Sequence, residues 1–177
     1  MLKGIAAIVI LLLSLSITGC VSTGVGLQSY VDSTDGYQFL YPNGWVPVEV
    51  TNGPDVVFRD LIEYSENLSV AIGKTLTDLG TPTDVGYRLS KNAIAPPDSG
   101  RQAELVNAEE LRSSDRTYYL LEYAVTLSNQ QQRHVLASVG QARSHGQLYS
   151  FNLSTTERRW QKGKSMFEQV VKSFRVY

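Results

Sequence analysis

The hydrophobic pattern is clearest in the last third of the chain. Tyr149, Phe151 and Leu153 alternate with polar residues, which puts them on one face of a strand. A capping box at Ser154–Glu157 then opens a helix over residues 157–173. Trp160, Phe167, Val170, Val171 and Phe174 lie at spacings of 7, 10, 11 and 14 from Trp160, a single helical stripe. A helix with such a stripe must lie on a sheet, and the strand before it belongs to that sheet.

The rest of the chain supplies the other strands. Tyr37–Tyr41 alternates between the turn signals Asp35-Gly36 and Pro42-Asn43-Gly44. Trp45–Val50 resumes as a strand that Pro47 confines to an edge or keeps short. Val56–Asp60 and Leu68–Lys74 follow, with Leu68, Val70 and Ile72 inward. Thr81 as N-cap, Pro82 in the first turn and Asp84 at the positive end of the dipole open a helix over residues 81–94, which Pro96-Pro97 stops. Three long strands come next: 103–111, 117–127 and 133–142. Tyr119, Leu121, Tyr123, Val125 and Leu127 share a face, and Val135, Ala137 and Val139 alternate. Short loops between consecutive strands predict antiparallel pairing. The expected fold is α+β, an antiparallel sheet flanked by helices.

The N-terminus has a different character. Lys3 precedes an uncharged run from Gly4 to Ile17, shorter than the ~20 residues of a membrane span. It reads as a secretory signal over residues 1–19. Ile17-Thr18-Gly19-Cys20 matches a bacterial lipobox, so cleavage before Cys20 and a lipid on its sulfur are expected. Cys20 is the only cysteine, which explains how an exported chain has no disulfide. Residues 20–29, small and polar with Gly24 and Gly26, read as a flexible tether, and residues 30–177 as one domain.

Charge is unevenly placed. Cys20–Glu110 carries 5 basic and 13 acidic side chains, and Leu111–Tyr177 carries 10 and 4. The near-neutral total argues against nucleic acid as a partner. The asymmetry either orients the domain on a charged partner or cancels because the halves interleave in the fold.

No nucleophile elbow, phosphate loop, dinucleotide fingerprint or zinc-protease motif is present, so an enzyme is not expected. His134 and His145 are the only histidines; either is a metal candidate with nearby carboxylates, or simply a hydrogen-bonded side chain. Asp55, Asp60, Glu63 and Glu66, carboxylates near loops, are a second, weaker divalent-ion candidate; ordinary solvated acidic residues account for them better. Arg158, Arg159, Lys162 and Lys164 crowd the start of the last helix against its dipole. Either a partner offsets them, or they form a solvated helix face, or Arg158 and Arg159 pair with acidic residues of the same domain.

Four motifs in order carry a family resemblance. Asp35-Gly36-Tyr37-Gln38-Phe39-Leu40-Tyr41-Pro42 with Gly44-Trp45 resembles the opening of the PsbP family. Val57–Asp60 before Glu66–Val70 resembles its next strands, and Leu79–Pro82 its first helix cap. Gly146–Tyr149 followed by Glu157–Trp160 resembles its closing signature. The lipobox is similar to that of the family's cyanobacterial lipoprotein branch. The resemblance implies an α-β-α sandwich on the lumenal side of the thylakoid membrane, anchored through Cys20. It implies an extrinsic protein of photosystem II that assists assembly by docking on reaction-centre subunits. The alternative it leaves is a metal-binding protein, for zinc, manganese or calcium, that supports the oxygen-evolving complex. The long N-terminal segment with which plant members retain ions is replaced here by a short tether, which argues against direct ion retention. His134 follows a basic residue as in the family.

Overall fold

The computed structural model describes residues 26–75, 79–113, 116–142 and 146–177. Cys20 and His145 lie outside them, as do the signal segment and most of the tether. Ten strands and two α-helices are formed among the described residues: β1 (Leu27–Asp32), β2 (Tyr37–Pro42), β3 (Trp45–Pro47), β4 (Val56–Asp60), β5 (Asn67–Thr75), α1 (Pro82–Leu89), β6 (Gln102–Ser113), β7 (Arg116–Thr126), β8 (Gln132–Gln141), β9 (Gln147–Thr156), α2 (Glu157–Lys172) and β10 (Arg175–Val176). Seven strands form one sheet in the order β3-β4-β5-β9-β8-β7-β6, and β1-β2-β10 form a second. Every pairing is antiparallel.

The middle of the large sheet is covered on both faces. One face presents Leu68, Val70, Leu120, Leu136, Phe151 and Leu153 to α2 and to Tyr37 and Phe39 of the small sheet. The α2 stripe predicted from Trp160 to Phe174 is buried throughout. The other face presents Leu121, Tyr123, Val125, Val135, Ala137 and Val139, covered by Val85 of α1 and by Ile94. This double cover explains why β8 is buried at eight successive positions, Arg133 to Gly140, where alternation alone predicts every second one.

Several local readings change. β1 begins at Leu27 and takes in three residues that read as tether. The strand at Trp45 ends at Pro47, although the Val48 amide still donates to the Val57 carbonyl at 2.9 Å. Thr81 is the N-cap as expected, and Asp84 goes beyond a dipole partner to close a capping box with it; the α-helix stops at Leu89 and one π-helical turn, Ser90–Ile94, completes it. Thr156 caps α2 by accepting from the Arg159 amide; the third helical position is Arg159, so no reciprocal carboxylate closes a capping box there. Val106 is the extra residue of a bulge between Leu105 and Asn107, and it points to solvent, 53% exposed.

The strand order also settles the charge pattern. Strands β9, β8 and β7 from the basic C-terminal half of the chain insert between β5 and β6 from the acidic half, so the two halves interleave.

Candidate docking surface and the ion-pair network behind it

β9 delivers Thr155 and Thr156 directly into α2, so the first turn of α2 sits at one end of the sheet. Register places Arg133 opposite Thr156 and His134 opposite Thr155 on β8, and Asn67 opposite Ser154 on β5. The β4–β5 turn therefore reaches the same end. Four candidate residues from the sequence, Arg158, Arg159, Lys162 and Lys164, and one histidine meet there.

Their roles divide. Arg159 turns inward: Nη2 lies 3.3 Å from Asp60 Oδ2 and Nε 3.1 Å from Glu66 Oε2. Glu66 is fully buried and also accepts the Thr155 hydroxyl at 2.5 Å. Asp60 accepts the Ile62 and Glu63 amides at 2.7 and 3.2 Å and the Trp45 indole N–H at 3.2 Å. Burial opposes its ionisation, but the two amides, Arg159 and Trp45 outweigh it and hold its carboxyl below the usual value. Arg133, also buried, donates to the Ser65 hydroxyl at 2.8 Å and to the Ser65 carbonyl. Burial pulls the Arg133 guanidinium down from its ordinary pKa, with Glu66 and Glu63 opposing. Asp60, Glu63 and Glu66, a possible cation surface by sequence, are thus committed to holding this corner of the fold.

His134 stacks on Trp160, with ring centroids 4.0 Å apart and planes 11° from parallel. Its Nε2 meets Glu122 Oε1 at 2.8 Å and its Nδ1 meets Glu157 Oε2 at 3.1 Å. The two carboxylates thus reach it through different ring nitrogens, and each nitrogen has a partner. Glu157, the expected capping-box carboxylate, instead shares with Glu122 the orientation of this imidazole.

Arg158 and Lys162 point to solvent and make no ion pair among the described residues. Lys164 lies 5.3 Å above the Trp160 ring and 3.7 Å from Glu168. The outward cations are therefore Arg158, Lys162 and Lys164.

A second cluster, not singled out in the sequence, lies at the opposite end. Carboxylate oxygens of Asp32, Asp35 and Asp55 lie within 4.8 Å of one another. Tyr37 donates its hydroxyl to Asp55, and burial, followed by that bond, pushes the phenol far up. Burial and then the Asp55 and Asp32 charges raise the Asp35 carboxyl. Only folding brings Asp55 beside a turn twenty residues earlier, so no spacing rule could have found the trio.

Comparison with known proteins agrees with this architecture. A PsbP family model matches residues 25–176. The chain is 51% identical to CyanoP of Synechocystis sp. PCC 6803 over 96% of this chain and 94% of that one. It is 49% identical to CyanoP of Thermosynechococcus vestitus over 90% of each. The solution structure of the Synechocystis protein superposes with a TM-score of 0.73, covering 91% of this chain and 99% of that one.

Proposed function

The chain belongs to the PsbP family, a family associated with photosystem II, and from that premise we propose a non-catalytic, lipid-anchored protein that docks from the lumenal side on reaction-centre intermediates during assembly. The contact surface is the outward flank of α2. The observation that carries it is the sorting of the cations at the head of that helix. Arg159 is neutralised inside the domain, whereas Arg158 and Lys162 stand in solvent without acidic partners among the described residues. Two uncompensated cations beside the positive end of a helix dipole are mildly unfavourable in the free protein. An acidic surface on a partner reverses that cost and speeds encounter. The lipid on Cys20 holds the domain at the membrane in which that partner is embedded.

The test is recovery of photosystem II complexes on the tagged, lipidated protein from thylakoid membranes. Reaction-centre intermediates lacking the outer antenna are the expected catch, and Arg158→Glu with Lys162→Glu should reduce it. Arg159 is left intact because its loss would disturb the fold. Equal recovery by the double variant would remove this surface; recovery of mature oxygen-evolving dimers alone would remove the assembly role.

The acidic trio favours a second reading, a divalent-cation site for calcium, manganese or zinc. Asp35 is held partly by like charges that a cation would relieve. Such a site is independent of His134, whose two nitrogens would first have to release Glu122 and Glu157. Equilibrium dialysis showing no binding below millimolar would eliminate it.

A further inference from the structure

The β4–β5 turn displays three large apolar side chains within four residues: Leu61 is 51% exposed, Ile62 90% and Tyr64 71%. The other exposed large apolar residues, such as Val31, Tyr87 and Val106, are scattered singly, which is ordinary. This turn is rigidly braced. Asp60 accepts the Ile62 and Glu63 amides, and the Glu66 amide donates to the Glu63 carbonyl at 2.8 Å. The Glu63 carboxylate folds back to accept the Ser65 hydroxyl at 2.7 Å. The turn therefore holds Ile62 and Tyr64 out in water at a fixed position.

The place where the chain enters the domain explains why. The Asn43 amide donates to the Gly26 carbonyl at 2.6 Å, and the Leu61 amide donates to the Gly44 carbonyl at 3.1 Å. Gly26, the Asn43-Gly44 turn and Leu61 are thus consecutive neighbours at one end of the molecule. The first turn of α2 is tied to that end through Arg159 and Asp60. From Cys20 to Gly26 the chain spans at most about 20 Å when fully extended. The acidic trio stands at the far end, about 17 Å further along β1 at ~3.3 Å per residue.

We propose that Leu61, Ile62 and Tyr64 form a membrane-contacting tip that enters the headgroup region of the bilayer holding the Cys20 lipid, fixing the domain upright with its acidic end away from the surface. Aliphatic side chains beside a tyrosine on a braced turn suit the interface between headgroups and acyl chains. The Asp32–Asp35–Asp55 trio stands at the opposite end, while of the carboxylates at the tip Asp60 is paired with Arg159 and Glu63 accepts the Ser65 hydroxyl. In this orientation the outward flank of α2 faces sideways, toward proteins embedded in the same membrane. The inference rests on the lipid anchor of the proposed function.

The test uses the full, lipidated chain on phosphatidylcholine–phosphatidylglycerol vesicles. A polarity-sensitive fluorophore is attached through Ile62→Cys, or through Thr34→Cys on the exposed turn at the other end. Acylation of Cys20 leaves the introduced thiol as the only one that reacts. The expected result is a blue shift and loss of emission to a lipid-borne quencher for the Ile62→Cys label, with neither for the Thr34→Cys label. Vesicle-bound protein whose Ile62→Cys label stays in water overturns the inference and leaves the anchor standing. A label shielded only after thylakoid protein complexes are added also overturns it, in favour of a protein partner. Failure of the unlabelled lipidated chain to sediment with vesicles removes the anchor, and this inference with it.

Discussion

Replacing Arg159 with alanine tests the central energetic reading of the corner around Glu66. Glu66 is fully buried; Arg159 is its one direct ion-pair partner among the described residues, and the buried Arg133 acts on it from further away. Alanine leaves that carboxylate in the interior with the Thr155 hydroxyl at 2.5 Å and the Thr156 amide at 3.5 Å. Removing one member of a buried ion pair costs about 3–5 kcal/mol, because the other charge stays desolvated; Arg159 is 36% exposed, which places the expected cost at the lower end. An exposed pair costs about 0–1 kcal/mol, so the two descriptions are well separated. The larger figure corresponds to a fall in Tm of roughly 6–20 °C for a domain of this size, at ~2–4 °C per kcal/mol. Urea unfolding is the assay, with an unchanged slope required for the comparison. Glu66→Gln in the Arg159→Ala background should restore part of the loss, since a neutral amide is cheaper to bury. A cost below ~1 kcal/mol, or no recovery with Glu66→Gln, would refute the argument. The acid limb supplies an internal check. Asp60 has a lowered folded pKa, so its stabilisation is present above the unfolded value near ~3.9 and is lost as pH falls through the lower folded one. Part of that depression comes from Arg159, so Arg159→Ala should flatten the fall in stability below about pH 4.

Three further outcomes follow from other parts of the fold. Trp160→Ala should destabilise the domain by about 3–5 kcal/mol, because the ring is buried and stacked on His134; chemical denaturation measures it. Thr81→Ala should cost ~0.5–2 kcal/mol by removing the hydroxyl that accepts the Asp84 amide and donates to the Asp84 carboxylate, while the backbone half of the capping box remains; the same assay reads it. Asp35→Asn should raise the melting temperature at neutral pH. The Asp35 carboxyl has a raised folded pKa, so its ionisation weakens the fold as pH rises, and the gain should vanish below the unfolded value near ~3.9.

The elements were legible where one period dominates. The Trp160 stripe, the Tyr149–Leu153 alternation and the Thr81 cap all formed as the sequence implies. β8 was legible in place but not in depth, because its second buried face depends on α1, fifty residues earlier. The π-helical turn at Ser90–Ile94 and the bulge at Val106 have no strong composition signal, since neither uses glycine or proline. At the candidate surface, residue types identified the cations but not their allegiance. Arg158 and Arg159 are adjacent in sequence, and helical geometry turns one outward and the other onto Asp60. The Asp32–Asp35–Asp55 trio depended wholly on tertiary closure.

The position of β9 bears on how the domain comes into being. It is the last long strand to be made, yet it lies between β5 and β8 in the middle of the large sheet. A growing chain that stops short of Gln147 can pair β4 with β5 and β6 with β7 and β8, but no strand joins the two groups. Loop-closure entropy over the roughly eighty residues from β5 to β9 must be met before that join rewards it. Cooperative closure therefore waits for nearly the whole polypeptide. A nascent or partly threaded chain stays pliant, and the arrival of the final hairpin and helix locks it in one step.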